Sequence, residues 1–259
     1  MSLELLPHSP ELLHALLDLS HELGREDRRF ALLGEGNTSV RLSESEFMVK
    51  ASGASLSSLN RSGVALCRTR PVLDLFDTPD ASDDEIESAL LAARRSDAER
   101  KPSTEALFHA YLLSLPDVHF VGHTHPEAVN SLLCSPHAGD FATKRLFPDQ
   151  IVCCGVSSPL VPYVHPGVPL ALAIQDAVEA HRARYGGEVP RLVLLRNHGL
   201  IALGKTPKAV LAATLMAEKA ARIFLGAASV GGPTFMEDEQ VASIAGWNAE
   251  HYRQKVLGL

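Results

Sequence analysis

Four short segments of this chain carry residue types able to do chemistry. Gly122-His123-Thr124-His125-Pro126 places two histidines two positions apart. In an extended strand alternate side chains share a face, so both imidazoles can meet one ion. Zinc takes neutral imidazole nitrogen at about 2.0–2.1 Å, and a catalytic zinc site uses three protein ligands and keeps one position open. Arg196-Asn197-His198-Gly199 supplies a further histidine directly after the apolar run RLVLLR. Sites in α/β sheets gather at the carboxyl ends of strands, and Gly199 is expected to let the backbone turn sharply there. Pro102-Ser103-Thr104-Glu105 opens a helix just ahead of the histidine pair. Glu105 is expected in its first turn, where the helix dipole favours a negative charge, and is a candidate metal partner or general base. Gly34-Glu35-Gly36-Asn37-Thr38-Ser39, Ser52-Gly53 and Ser103-Thr104 offer backbone N–H groups and hydroxyls that suit a phosphate or carboxylate.

Taken singly, each segment also has an ordinary structural explanation. A lone HxH pair is more often no metal site than one, and a lone histidine after a strand commonly caps it. An isolated first-turn glutamate is usually solvated, and glycine-serine stretches are turns. The 34–39 loop is not a dinucleotide fingerprint, because Ser39 stands where glycine is required, and it lacks the lysine of a nucleotide-binding P-loop. No GxSxG elbow occurs. The adjacent Cys153 and Cys154 lie in the apolar context IVCCGV and read as buried thiols, not as a nucleophile.

The positioning elements follow from spacing and end signals. Leu12, Leu13, Leu16, Leu17 and Leu23 recur at helical spacing between Ser9-Pro10 and Gly24, a start and a stop. The glycine-rich loop runs into a short strand, and EFMVKA follows as its hairpin partner with SGASLSSLN as a polar turn. Ser82 and Glu85 form a capping box ahead of Ile86, Leu90 and Leu91. Ser103 or Thr104 caps the helix EALFHAYLLSL. VHFVGHTH is a strand ending in histidines, and Pro126-Glu127 opens the next helix. Residues 135–168, with five prolines from Pro136 to Pro166, read as loop-rich. RLVLLR is a continuous apolar strand, as in a sheet covered on both faces. Thr206-Pro207 opens a long helix through Leu225, and a short helix is expected near Gln240. The fold class is α/β: a central β-sheet with helices on both sides, one domain over 1–259, with a core at about 10–225 and a helical tail at 226–259.

Bulk properties bound the rest. The 259 residues are 46% hydrophobic, enough for one large core. A net charge of -7 with no basic stripe argues against a nucleic-acid partner. Cys67, Cys134, Cys153 and Cys154 include no CxxC and suit a reduced, cytoplasmic setting. The opening MSLELLPHSPELL lacks a basic n-region, so no signal peptide is expected. No apolar run approaches the roughly 18 residues of a membrane span.

The order GEGNTSVRL, MVKASG, KPSTEALFHAYL, GHTHP, LRNHGLIALG resembles the class II aldolase/adducin family, which includes fuculose-phosphate and rhamnulose-phosphate aldolases. The resemblance runs from about 32 to 225. MVKASGASL and LVPYVHPGVPLA further resemble the aldolase half of bifunctional rhamnulose-phosphate aldolase/dehydrogenases. The resemblance implies a zinc ion, or Mn2+, Co2+ or Ni2+ in its place, on His123, His125 and His198. It implies an acid/base role for Glu105 and phosphate-binding positions at Asn37, Ser52, Gly53, Ser103 and Thr104. It implies a homo-oligomer, most often a tetramer, acting on a small molecule. The expected reaction is cleavage of a small hydroxycarbonyl compound such as a sugar phosphate through a metal-stabilised enediolate. A base at Glu105 would gain from partial burial that raises its pKa. A decarboxylase or epimerase shares this chemistry, and an adducin-like scaffold would need none of it. The chain departs from the fuculose-phosphate enzymes in one respect. Their proton-donating tyrosine, from a neighbouring subunit, lies in the loop after the HxH strand. Residues 132–161 here contain no tyrosine, and Tyr163 and His165 come later.

Overall fold

The computed structural model describes residues 9–248, 254, 255 and 258. Residues 1–8, on which the expectation of no signal peptide rests, and Tyr252 of the tail lie outside the described residues. In chain order the elements are α1 (Ser9–Leu23), β1 (Asn37–Arg41), β2 (Glu46–Lys50), β3 (Val64–Arg68), α2 (Arg70–Leu73), α3 (Asp83–Ala93), α4 (Ala106–Ser114), β4 (Phe120–Thr124), α5 (Glu127–Leu133), α6 (Ala138–Thr143), α7 (Pro148–Cys154), β5 (Leu160–Val161), α8 (Val168–Arg184), β6 (Leu192–Leu195), β7 (Gly199–Gly204), α9 (Pro207–Ala228) and α10 (Asp238–Ala245).

The strands form one sheet in the order β3-β2-β1-β4-β7-β6-β5. Every neighbouring pair is antiparallel except β5 with β6. Short links force this for β1–β2 and β6–β7, because parallel neighbours need a long crossover. Side chains alternate between two apolar cores. Leu192, Leu194, Leu200 and Ala202 face α1, α5 and α9, while Val193, Leu195, Ile201 and Leu203 face α4 and α8. That two-sided burial explains why β6 reads as an unbroken apolar run. The α/β fold with helices on both sides is as expected. The capping box of Ser82 and Glu85 is present, and Thr206 caps α9 through Ala209 N at 3.1 Å.

One expectation is corrected. Residues 135–168 are not a loose loop, because α6, α7 and β5 lie within them. The buried Arg145 organises this stretch from inside. Its guanidinium donates to the carbonyl oxygens of Gly155 (2.7 Å), Ala142 (3.1 Å) and Lys144 (2.9 Å) and to Ser158 Oγ (3.2 Å). Burial pushes its pKa down to about 10, so it stays charged at neutral pH. Carbonyls left unpaired in a dry interior are costly, so Arg145→Ala is expected to lower the unfolding free energy by about 2–3 kcal/mol. Urea unfolding followed by circular dichroism measures this. The tail folds back on its own chain: Phe235 packs on Phe224 with ring centroids 5.8 Å apart, and α10 lies against α7. Trp247 remains 55% exposed. Among the described residues no helix is long and apolar enough to cross a membrane.

Candidate metal centre

The site lies at one end of the sheet, where β4 and β6 finish and β1 and β7 begin. β4 carries His123 opposite Asn37 of β1 and leads out to His125, whose backbone N–H donates to Phe30 O at 2.7 Å. The turn between β6 and β7 carries His198. Here one expectation needs correcting. Asn197, not Gly199, takes the left-handed conformation that makes the turn, with φ 53°, as asparagine tolerates better than most residues. Gly199 is needed for space. A Cβ on it would lie 2.6 Å from both His125 Cδ2 and Thr124 O. Gly199→Ala is therefore expected to destabilise the fold by roughly 1–3 kcal/mol through overpacking and to displace His125. Thermal unfolding read together with metal content checks both effects.

The three imidazoles converge. Their ligand atoms lie within 4.8 Å of one another, and ring centroids are 4.8, 4.9 and 5.1 Å apart. His123 is fully buried, and its Nδ1 donates to Leu200 O at 2.9 Å. A carbonyl only accepts, so this bond turns Nε2 toward the centre, the usual support for a metal-ligating histidine. His123 Nε2 and His125 Nε2 are 3.1 Å apart. Ligands at about 2.0–2.1 Å around a tetrahedral ion stand roughly 3.3–3.4 Å apart, so the spacing fits a shared ion. Glu105 Oε1 lies 3.5 Å from His123 Nε2 and 3.6 Å from His198 Nε2, at the same spacing. The donor set, three imidazole nitrogens and a carboxylate oxygen, suits a first-row divalent ion.

Charge states at His125 and His198 agree with this use. Burial pushes His125 down to about 3 and His198 to about 4, helped by the charge of His123, so both are neutral at pH 7 and hold free lone pairs. Burial also disfavours charge on His123, but Glu105 outweighs it and raises the pKa. Burial favours a neutral Glu105, yet His123 and His198 outweigh it and hold the carboxyl well below the usual range. The expected upward shift at Glu105 is thus reversed. Glu105 also sits one residue ahead of α4 as its N-cap, not within the first turn.

Of the remaining expected positions, Asn37 and Ser103 bond to Glu105. Asn37 Nδ2 donates to Glu105 Oε2 and to Ser103 Oγ, the latter at 3.5 Å. Its buried Oδ1 has no partner among the described residues. Ser103 Oγ accepts Glu105 N–H at 3.4 Å. Ser52 N donates to Lys101 O at 3.1 Å, and a bridge between Ala51 and Pro102 sets the Ser52-Gly53 turn beside Ser103 and Thr104. Ser52, Gly53 and Thr104 are exposed. An open cleft lined by Arg29, Leu32, Glu35, His125, Glu127 and Asn130 reaches the site from outside.

Sequence reasoning missed several residues that hold the site. Glu35 Oε2 lies 3.7 Å from His125 Nδ1, and Asn130 Nδ2 donates to His198 O at 3.0 Å. His109, one turn beyond Glu105, is fully buried, bonded through Nδ1 to Ser39 Oγ at 2.7 Å and stacked on Phe108. Burial pushes it down to about 3, so it is neutral. Lys50 is buried at the end of β2, and its signal was a cation closing the apolar run Phe47-Met48-Val49. The four cysteines are free. Burial pushes the Cys154 thiol up to about 12, which suits an inert thiol, and Cys153 is only partly buried.

A family model described as the class II aldolase and adducin N-terminal domain matches residues 14–225. The chain belongs to that family. It is 31% identical over 208 residues to the uncharacterized oxidoreductase YuxG of Bacillus subtilis (strain 168), covering 76% of this chain and 27% of that protein. The chain thus spans about a quarter of that relative's length. It is 28% identical over 190 residues to 3-oxo-tetronate 4-phosphate decarboxylase of Haemophilus influenzae (strain ATCC 51907 / DSM 11121 / KW20 / Rd), covering 72% of this chain and 76% of that protein. Among solved structures, an L-fuculose 1-phosphate aldolase superposes with a TM-score of 0.71 at 18% identity, covering 95% of this chain and 97% of that one. At that identity the likeness speaks for the fold.

Proposed function

We propose that this chain is a metal-dependent aldolase that cleaves a carbon–carbon bond in a small hydroxycarbonyl compound such as a sugar phosphate. The observation that carries this reading is the convergence of His123, His125, His198 and Glu105 on one point. His123, His125 and His198 would hold a divalent ion, zinc or another first-row metal. A bound ion of this kind supplies Lewis acidity, drawing electron density from a carbonyl oxygen and steadying the negative charge that develops there. Glu105 is ionised and enters as a proton acceptor. It would take the proton of the hydroxyl two carbons from the carbonyl, that oxygen becoming the new aldehyde as the intervening carbon–carbon bond breaks, and would return the proton to the carbon next to the carbonyl in the other fragment. Asn37 orients that carboxylate through Oε2, which leaves Oε1 facing the imidazoles. Asn37, Ser52, Gly53, Ser103 and Thr104 would bind the substrate's anionic end. The functional core is taken as residues 10–225, with 226–259 as a tail.

The name of the Haemophilus relative favours a second reading, decarboxylation of a sugar-acid phosphate. The same residues serve it, since both reactions leave negative charge beside a carbonyl. Assaying a panel of keto- and aldo-sugar phosphates and their acids for aldehyde and for carbon dioxide separates the two. Aldehyde release supports the aldolase. Carbon dioxide alone replaces it with the decarboxylase, and neither product, with no bound metal, points to a scaffold.

We further propose a homotetramer with sites near subunit boundaries. Tyr163, 63% exposed, and Trp247, 55% exposed, are apolar surfaces that a neighbour would cover. Light scattering is expected to give four times 27.9 kDa. A fully active monomer would exclude a shared site.

A further inference from the structure

Two cations bond to the turn that carries Ser52 and Gly53. Lys50 is 2% exposed, and its ammonium donates to Gly34 O at 3.2 Å and Ala54 O at 2.7 Å. It therefore touches both loops of the expected anion pocket. Arg100 is exposed and donates to Ser52 O of the same turn at 3.2 Å. Neither forms an ion pair within 4.0 Å of a carboxylate among the described residues, although their neighbours do: Glu99 pairs with Arg61, and Lys101 with Glu87. A buried ammonium held by carbonyl dipoles alone keeps an uncompensated charge, which is costly to bury. Burial lowers the Lys50 pKa, and the charge of Glu105 opposes that.

We propose that Lys50 and Arg100 set the charge specificity of the site, selecting a substrate whose far end is a dianion, as in a phosphate monoester. This rests on the reading of the histidine cluster as the reacting end. Asn37, Ser52, Ser103 and Thr104 are neutral. They can orient any tetrahedral oxyanion, but they do not separate one negative charge from two. Two nearby cations do, because Coulomb attraction scales with the ligand's charge and is strongest where water is excluded. Glu105 repels the same dianion. The polarity from Glu105 to Lys50 thus fixes which way the substrate lies: anionic end on the Ser52-Gly53 turn, carbonyl end at the imidazoles.

The test uses two probes of one shape and different charge at pH 8, methyl phosphate (dianion) and methyl sulfate (monoanion), titrated calorimetrically into the purified protein. The wild-type protein is expected to prefer methyl phosphate by about tenfold or more. Lys50→Gln keeps donors for Gly34 and Ala54 but removes the charge, and is expected to bring the preference close to one. Arg100→Gln should reduce it several-fold. If Lys50 merely braces the two loops, Lys50→Gln weakens both probes alike and the ratio stays. Arg100 is on the surface, so Arg100→Gln carries the test should Lys50→Gln not fold. An unchanged ratio in the variants that fold, or no preference in the wild type, overturns the proposal. Those outcomes leave the metal-centre reading intact, since metal content decides it independently.

Discussion

Glu105→Gln is expected to lower turnover by about 10²–10⁴-fold while metal content and unfolding temperature stay near wild type. The magnitude is that of a general acid–base group removed from its place. The shape argument is specific. Glutamine keeps an oxygen and an amide in the plane now held by Asn37 Nδ2 on one side and by His123 and His198 on the other. What is lost is the ability to accept and return a proton. His123 also loses the charge that raises its pKa, which makes it a neutral ligand more readily and helps metal retention. The measurement is single-turnover and steady-state kinetics on a substrate found by the aldehyde and carbon dioxide screen, with metal content measured alongside. Wild-type turnover would remove Glu105 from the chemistry.

His125→Ala carries the other large effect. Affinity for the divalent ion should fall by at least about 100-fold, since even loss of a residue that only supports a ligand costs 10–100-fold. His125 is better suited to this test than His123. His123 is fully buried with its Nδ1 bonded to Leu200 O, so its removal leaves a carbonyl unpaired in the interior. The His125 side chain is 21% exposed, and its loss opens onto the cleft beside Arg29 and Glu35. Folding should persist. Full metal retention by this variant would sink the ligand assignment.

Much of this was legible in the sequence because the signals were local. The HxH pair on an extended segment, the histidine after RLVLLR and the glutamate ahead of a helix each declared a type and a place. Their mutual distance was not legible, because β4, β6 and the 102–105 segment meet only through sheet order. The parts missed share a cause. β7 is an apolar run bounded by glycines, and β3 a short run between arginines, so neither showed alternation. α8 starts at a proline-glycine stretch that also describes a loop. Residues 135–168 look unstructured until Arg145 is seen satisfying four acceptors from within. The direction of the Glu105 shift was not legible, because burial, which pushes it up, can be read from an apolar helix, whereas opposing imidazoles from two other segments cannot. The role of Gly199 was not legible, because a turn glycine and a close-approach glycine look alike in one dimension.

The central claim is that His123, His125 and His198 form one metal centre. Titration of Co2+ into chelator-stripped protein, followed by its visible absorption, tests it most directly. One equivalent per chain is expected, with the intense bands of a four-coordinate nitrogen-rich site, and none of that signal in a His125→Ala/His198→Ala double variant that folds as the wild type does. Equal stoichiometry and an unchanged spectrum in that double variant would contradict the account.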